Sequence, residues 1–369
     1  MEDLLLELLR CSLWGNKPSV QSLSNDECEK LLPLASEQAV SGQVGSALIY
    51  NKIKLEKEYR DEVLLNLLKI DEDNANLNAA MTSFVDMLDK FGIEYVIVKG
   101  QVLATMYPNP MTRMSGDIDL YFRGEHFDRI KKLAEKNLKT SLNKDIDRKH
   151  VEFDVNGVTF ELHSSLAQFV WKRNQRYWDE IIDQSMLQGL ATVSVNGKKI
   201  NTLLGTYNAL YVFVHLFAHM TSSGLGLRQL CDWVILLHYC HQTEDEAWKI
   251  DKIVLKKHLE ALGLYKAYKA VGAMIIDKLG LPEEEFPFEI TKKDRRWVKK
   301  ITHNVMEAGN FGRSRRHVSE TGLLHSLESG WLSMRQAMAF FPLAPKEILG
   351  RVPDLTGWFF KKLTMKHAS

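Results

Sequence analysis

Two aspartates, Asp117 and Asp119, have the spacing in this chain that points most directly to chemistry. They follow Gly116 and alternate with apolar residues, so a strand here places both carboxylates on one face. Two carboxylates about 4 Å apart repel by ~4 kcal/mol at an effective dielectric constant of ~20. A divalent cation offsets that repulsion, and Mg²⁺ binds through one or two carboxylates together with substrate phosphates. The structural alternative is two aspartates solvated at a strand end.

A second polar face is predicted on a β-hairpin around Asn156-Gly157, because Asn-Gly between alternating runs is a strong signal for a two-residue type I′ turn. The turn fixes a register that pairs Phe153 with Phe160 and Glu152 with Glu161. The polar face then carries His150, Glu152, Asp154, Thr159, Glu161 and His163. Like charges directly opposite one another destabilise a hairpin. Either solvation or a nearby metal ion relieves them, and a carboxylate triad forms if this face adjoins Asp117 and Asp119.

The elements that must position these residues are short. The apolar run 95–98 predicts a buried strand that stops at Lys99-Gly100, and a short helix is predicted over 101–106. Pro108 and Pro110 end that helix, and a polar loop over 112–116 leads into the strand 117–122.

Helical patterns flank this region. Residues 1–90 are predicted helical, with either one long helix or a helical pair over 54–91, and the chain is predicted helical again from Gly205. A second Asn-Gly hairpin over 191–204 is either structural or the end of the sheet. These features predict an α+β fold with a small mixed β-sheet, divided as 1–90, 91–204 and 205–369.

Four polar residues interrupt two apolar helical segments. His215 and His219 lie one turn apart on one face, and Arg228 and Asp232 have the same spacing in the next helix. Buried polar groups need partners. In the structural interpretation Arg228 and Asp232 form an internal ion pair, and the two histidines are hydrogen-bonded within the core. In the functional interpretation all four residues face a binding cleft.

Composition excludes some classes of protein. The formal net charge of +1 over 369 residues argues against a globally basic nucleic-acid binder, and the four cysteines have no zinc-finger spacing, so free thiols are expected. We expect a cytoplasmic protein, since neither a secretory signal nor a membrane span is visible. A basic cluster, either a solvated face or a contact to triphosphate or nucleic acid, comprises Lys292, Lys293, Arg295, Arg296, Lys299, Lys300, Arg313, Arg315 and Arg316.

The central motifs resemble the polymerase-β-type nucleotidyltransferase superfamily, and within it the widespread uncharacterised nucleotidyltransferase family. The resemblance rests on Lys99-Gly100, Tyr107-Pro108, Arg113-x-x-Gly116-Asp117-x-Asp119-Leu120 and Glu161-x-His163, within residues 90–170, and is weaker to 240. The family also shows a similar His-x-x-x-His and Arg-x-x-x-Asp. One departure is Gln101, where the wider superfamily usually has Ser or Gly.

This resemblance implies transfer of a nucleoside monophosphate from a nucleoside triphosphate to an acceptor hydroxyl, with release of pyrophosphate. Asp117, Asp119 and Glu161 are then the catalytic and metal-binding residues for two Mg²⁺ ions, with Mn²⁺ as a substitute, and Glu161 is also a candidate proton acceptor. The expected nucleotide-binding residues are Lys99, Gly100, Arg113, Ser115, Gly116, His163, His215, His219, Arg228 and Asp232.

A small-molecule or sugar acceptor is favoured, with RNA or protein as alternatives. Two other functions stay open from the sequence. One is a degenerate domain that binds a nucleotide or a partner without catalysis. The other is a glycosyltransferase, whose Asp-x-Asp motif also binds a metal–nucleotide. The helical character of the first 90 residues argues against the latter, because those folds place several strands before the motif.

Overall fold

The computed structural model describes residues 1–137, 150–310 and 323–350 of the chain. Three arginines of the predicted basic cluster, Arg313, Arg315 and Arg316, lie outside these residues.

Helices precede and follow a short β-rich region along the chain. The α-helices of the described part are α1 (Glu2–Trp14), α2 (Asn25–Glu37), α3 (Ser41–Tyr50), α4 (Lys57–Lys90), α5 (Gly100–Ala104), α6 (Glu125–Asn137), α7 (Lys172–Gln188), α8 (Gly205–Met220), α9 (Leu227–Gln242), α10 (Lys252–Leu262), α11 (Tyr265–Met274), α12 (Lys292–Arg295), α13 (Val298–Ala308) and α14 (Leu323–Phe340). The strands are β1 (Val96–Val98), β2 (Ile118–Tyr121), β3 (His150–Val155), β4 (Val158–His163), β5 (Ala191–Val195) and β6 (Lys198–Thr202).

The first four strands form one mixed sheet in the order β1-β2-β4-β3. Strands β2 and β4 run parallel, whereas β1–β2 and β3–β4 are antiparallel. A parallel pair requires a crossover connection, and α6 lies in the connection between β2 and the β3–β4 hairpin. The predicted α+β class with a small mixed sheet is confirmed.

The hairpin β3–β4 has the predicted register, with Phe153 opposite Phe160 and Glu152 opposite Glu161. Its turn residues Asn156 and Gly157 have φ angles of 52° and 79°, the left-handed conformation that a type I′ turn requires at both central positions. The register was therefore fixed by local turn chemistry.

A single long helix, α4, supports the sheet. The sequence had also allowed a pair of helices here. The ring of Phe84 lies 5.9 Å from that of Phe153 and 4.7 Å from that of Phe160, between centroids. The apolar face of the hairpin therefore packs on this helix, and its polar face turns the other way.

The second hairpin, β5–β6, forms a separate two-stranded sheet, with β6 in contact with β1. The expectation that it ends the main sheet is wrong, because within the described residues its two strands form a ladder only with each other. Its role is the structural one that the sequence also allowed.

One continuous hydrophobic core joins the helical parts to the sheet, with members such as Leu8 of α1, Leu120 of β2 and Ala337 of α14. Helix α4 ends at Lys90 and α8 begins at Gly205, and the division of the chain into 1–90, 91–204 and 205–369 stays a prediction. All four cysteines are buried and free, as predicted. Among the described residues no helix has both the length and the apolar character needed to cross a membrane.

Candidate active site

Strand pairing brings three carboxylates together on one face of the sheet. Parallel pairing of β2 with β4 sets Asp119 beside Glu161, and Asp117 lies just before β2 on the same face. One oxygen of each carboxylate lies within 4.8 Å of the others. Asp119 is 2% exposed. Glu152 lies on the outer strand β3, one strand further from Asp119, so the topology selects Glu161 as the third carboxylate.

The chain itself supplies cations among these carboxylates. Lys99 Nζ lies 3.0 Å from Asp119 Oδ1. His163 Nε2 lies 3.0 Å from the same oxygen and 3.3 Å from Glu161 Oε2. The sequence predicted either a metal ion or solvation to offset the repulsion between these carboxylates, and the structure adds contacts from two side chains of the chain itself.

The pKa values follow from burial and these contacts. Burial raises the pKa of Asp117 to about 6, and the Asp119 charge adds to the effect. Burial acts in the same direction on Asp119, but Lys99 and His163 outweigh it and hold the pKa of Asp119 below its usual range. Hydrogen bonds from two histidines likewise overcome burial and lower the pKa of Glu161. Asp119 and Glu161 are therefore ionised at neutral pH.

Lys99 occupies a strained position between β1 and α5. Its φ and ψ of 56° and −147° are sparsely populated by residues other than glycine, at a cost of about 1–3 kcal/mol. Burial alone would lower the pKa of its ammonium group, but the charge of Asp119 outweighs burial and the pKa is raised. The Lys99-Gly100 turn thus holds a charged lysine against the sheet carboxylates.

A chain of hydrogen bonds runs from Lys99 into α8. Lys99 Nζ lies 3.5 Å from His215 Nε2, which lies 3.1 Å from His219 Nε2. An ammonium group only donates, so His215 Nε2 accepts and His219 Nε2 donates. His219 Nδ1 then accepts from the Ser223 hydroxyl at 3.3 Å. Burial and the charge of Lys99 lower the pKa of both histidines, to about 4 for His219, so both are neutral at pH 7.

Arg113 belongs to the framework of the site. Its Nε and Nη2 donate to the two oxygens of Asp232 at 2.7 and 2.8 Å, and the Tyr107 hydroxyl donates to the same carboxylate at 2.8 Å. Both charged residues are buried. The expected internal Arg228–Asp232 ion pair is wrong, because the fork of Arg113 takes both oxygens of the carboxylate. For the same reason the structure does not support Arg113 as a phosphate clamp.

Arg228 instead reaches the loop before β2. Its Nη1 donates to the carbonyl oxygens of Met114 and Ser115 at 3.3 and 3.2 Å, and its Nε is buried without a hydrogen-bond partner. Ser115 thus contributes its backbone oxygen here. A guanidinium group with unused donors is left in the cleft, while Asp232, one turn along α9, is engaged by Arg113.

These groups line a cavity of about 270 Å³ between the sheet and helices α8 and α9. The predicted residues on its wall are Lys99, Gly100, Arg113, Gly116, Asp117, Asp119, Glu161, His215, His219, Arg228 and Asp232. Wall residues that sequence reasoning missed are Leu103, Val212, Leu216 and Gln229. Ser115 and His163 are not part of the wall, and His163 lies beside the carboxylates of Asp119 and Glu161.

Two supporting residues were also missed. Asn74 of α4 donates from Nδ2 to the carbonyl oxygens of Met111 and Arg113 at 3.0 and 2.8 Å. Gln101 donates to Asn78 Oδ1 at 2.7 Å, so α4 holds the side chain at the position where the wider superfamily usually has Ser or Gly. Asn74 lies one turn after Ile70, among the apolar residues of the buried face of α4. A polar residue at an apolar position of a helix is the signal that could have revealed it.

The described part of the basic cluster lies on α12, α13 and the residues between them, and none of it lines the cavity. Arg295 forms salt bridges with Asp277 and Glu283. Lys292, Lys293, Lys299 and Lys300 are exposed. For these residues the structure favours the solvated face.

Comparisons with known proteins identify the family of the chain. A similar solved structure is an antigenic nucleotidyltransferase-like protein from Paracoccidioides brasiliensis, which is 13% identical and covers 50% of this chain and 92% of its own, with a TM-score of 0.33. A likeness of that size carries no argument about function. A search of curated proteins finds no match. Residues 24–270 match the family model described as "Uncharacterised nucleotidyltransferase", a wider span than the motifs alone suggested. The chain therefore belongs to the uncharacterised nucleotidyltransferase family.

Proposed function

We propose that this protein is a metal-dependent nucleotidyltransferase that moves a nucleoside monophosphate from a nucleoside triphosphate to an acceptor hydroxyl and releases pyrophosphate. One observation carries the proposal: Asp117, Asp119 and Glu161 converge in a single cavity that also holds Arg228, an arginine with a buried, unpartnered Nε. Family membership supports the reaction class and counts against the glycosyltransferase alternative. A small molecule or a sugar is the favoured acceptor, ahead of RNA or protein.

The donors of the triad fit Mg²⁺, since they are carboxylate oxygens close enough to share ions. Asp117 and Asp119 would hold both ions, and Glu161 would complete the one on the acceptor side. Bound there, the ions would stabilise negative charge on the attacking and leaving oxygens. Glu161 has an oxygen within 4.8 Å of oxygens of both aspartates, which suits a ligand, and its lowered pKa makes it a weak proton acceptor.

The cationic side chains are suited to the triphosphate. Arg228 presents unused guanidinium donors to the cavity, where phosphate oxygens form strong charge-assisted hydrogen bonds. Lys99 Nζ lies 3.0 Å from Asp119 Oδ1, at the edge of the same cavity. With metal ions bound at Asp119, the ammonium group of Lys99 would be available to the phosphates. His215 and His219, both neutral, line the same wall and offer hydrogen bonds without adding charge.

One observation favours a second candidate, a domain that binds a nucleotide or a partner without catalysis. Lys99 and His163 already lie against Asp119, so this carboxylate does not depend on a metal ion for a partner. The two candidates differ in one measurable property, which is transfer of label from a triphosphate to an acceptor.

The test of metal-dependent binding is calorimetric titration with a non-hydrolysable triphosphate, with and without Mg²⁺. We expect Asp117→Asn and Asp119→Asn to abolish the Mg²⁺-dependent binding while the fold is retained. Asp154→Asn is the matched control, because Asp154 lies exposed on the polar face of the hairpin outside the triad. Wild-type affinity in both triad variants would sink the metal assignment.

A second experiment addresses catalysis. The protein is incubated with each labelled triphosphate and a cell extract, and the labelled product is identified. Transfer that requires Asp117 and Asp119 supports the enzyme and names its acceptor. Tight Mg²⁺-dependent binding without any transfer would instead support the binding domain.

A further inference from the structure

A second group of metal-capable side chains adjoins the carboxylate triad and shares one member with it. The ligand atoms of His150, Glu161 and His163 all lie within 4.8 Å of one another. Glu161 Oε2 lies 3.5 Å from His150 Nε2 and 3.3 Å from His163 Nε2. This set contains two imidazoles and one carboxylate, whereas the triad contains only carboxylates.

The hairpin builds this group by its register. Glu161 and His163 are two residues apart on β4 and share a face, and His150 of β3 lies directly opposite His163. The two imidazole rings are stacked, with centroids 4.9 Å apart and planes inclined by 11°. Both Nε2 atoms therefore lie beside one carboxylate oxygen, Glu161 Oε2. The side chains of His150 and His163 are 36% and 16% exposed, so the cluster is accessible from solvent.

The distances match one coordination geometry. Metal–ligand bonds of about 2.0–2.1 Å in a tetrahedral zinc site separate neighbouring ligand atoms by roughly 3.3 Å. The observed separations of 3.3 and 3.5 Å are close to that value. An octahedral Mg²⁺ site with bonds of about 2.0–2.1 Å requires roughly 2.9 Å between adjacent ligands. Imidazole nitrogen is moreover a ligand for zinc and other transition metals, while Mg²⁺ favours oxygen.

We propose that His150, Glu161 and His163 form a binding site for a transition-metal ion of the zinc type, with the fourth position open. Both histidines bind through Nε2, which must be unprotonated to coordinate. Glu161 would bridge this site and the carboxylate triad. The proposal does not depend on nucleotidyl transfer, since its ligands are fixed by the hairpin alone.

The experiment titrates chelator-treated full-length protein with Zn²⁺ by calorimetry, and with Co²⁺ by visible absorption, which reports four-coordinate geometry. We expect one tight equivalent in the wild-type protein and at least tenfold weaker binding in His150→Gln. The matched control is Glu152→Gln, because Glu152 lies directly opposite Glu161 but outside the cluster, and it should bind Zn²⁺ as the wild type does. Zn²⁺ should also raise the melting temperature of the wild type and of this control, but not that of His150→Gln.

Unchanged Zn²⁺ affinity in His150→Gln, or no binding in the wild type, would overturn the proposal. So would binding that is lost in Asp117→Asn and intact in His150→Gln, because the ion would then lie among the carboxylates. Should His150→Gln fail to fold, His163→Gln replaces it with the same expected loss. Zinc binding without any triphosphate binding would defeat the proposed nucleotidyl transfer and leave this site standing.

Discussion

At the scale of single residues, the site shows how a folded protein accommodates a cluster of acidic side chains. Asp119 is almost fully buried, yet Lys99 Nζ and His163 Nε2 each lie 3.0 Å from its Oδ1. Burying an unpaired charge is very costly, and removing one partner of a buried pair leaves that cost in place. Internal cations therefore make the carboxylate cluster compatible with a stable fold, and they leave Asp117 as its least compensated member.

Glu161 and Glu152 provide a residue-scale test, since they are paired on adjacent strands. Glu161→Gln should lower turnover by roughly 10²-fold or more, the effect of losing a group that acts on reacting atoms. Glu152→Gln should keep turnover near the wild-type value and stabilise the hairpin slightly, because it removes a like-charge pair worth about 0.2–1 kcal/mol. Steady-state kinetics of the two variants decides, and a larger loss in Glu152→Gln would reverse the assignment.

A pH prediction follows from His219, whose pKa is lowered to about 4 by burial and by the charges of Lys99 and Arg228. An unfolded histidine has a pKa of about 6.5. Between these values the unfolded state binds more protons, so stability falls as the pH falls from about 6.5 to 4. The charges of Asp119 and Glu161 act to raise the pKa of His219. Both carboxylates are present in the wild type and in a variant at His219, so they do not affect a comparison of the two.

Replacement of His219 by Gln should therefore flatten this part of the stability curve, by up to about 1.4 kcal/mol per pH unit. Denaturant unfolding of wild type and His219→Gln at several pH values measures the difference. Parallel curves for the two proteins would show that His219 is not a buried neutral histidine.

At the scale of elements, the N-terminal helices determine the conformation of the loop that precedes β2. A Cβ on Gly42 of α3 would lie 1.9 Å from the carbonyl oxygen of Thr112, so only glycine permits this approach. On the other side Asn74 of α4 donates to the carbonyls of Met111 and Arg113. Helices without chemistry of their own thus fix the loop that carries Arg113 and Gly116.

Asn74→Ala tests this support. It leaves the buried carbonyl oxygen of Arg113 and the partly buried one of Met111 without this donor, at a cost of about 1–3 kcal/mol, and it should weaken triphosphate binding through the loosened loop. Asn76→Ala is the matched control, because Asn76 lies exposed on the same helix and a surface change of this kind stays within about 0.5 kcal/mol. Denaturant unfolding and ligand titration of both variants give the answer. Equal behaviour of the two would mean that α4 does not position the loop.

At the scale of the whole molecule, buried polar contacts join parts that are far apart in sequence. Arg113 and Tyr107 reach Asp232 of α9, and Gln38 after α2 donates to the carbonyl of Val305 in α13. The family match from residue 24 to residue 270 spans helices α2 to α4, the sheet and the first helices of the C-terminal part. The cleft is therefore a product of the assembled chain, with one wall from the sheet and the other from α8 and α9.

Variants of two arginines distinguish a role in ligand binding from a role in holding these parts of the chain together. Arg228→Met should weaken triphosphate binding at least tenfold and leave the melting temperature unchanged or higher, because it removes a buried cation with unused donors. Arg113→Met should cost about 3–5 kcal/mol of stability, since it leaves Asp232 buried and unpaired. Thermal unfolding and calorimetry measure both effects. A large loss of stability in Arg228→Met, with ligand affinity unchanged, would make Arg228 part of the scaffold instead.

The sequence by itself determined the features that depend on near neighbours in the chain. Asn156-Gly157 set the turn and with it the whole register of β3 against β4. The alternation of Asp117 and Asp119 with apolar residues put both carboxylates on one strand face, and helical periodicity predicted α4. These are consequences of backbone geometry over a few residues.

Only the tertiary structure decided which distant groups meet. Sequence periodicity is the same for Glu152 and Glu161, and the parallel pairing of β2 with β4 makes Glu161 the neighbour of Asp119. Arg228 has the helical spacing to pair with Asp232, yet Arg113, 119 positions away in the chain, takes that carboxylate. Which arginine pairs with Asp232 depends on how the loop and α9 pack. The guanidinium group of Arg113 forms two short hydrogen bonds to this carboxylate, and that bidentate contact replaces the local Arg228–Asp232 pair.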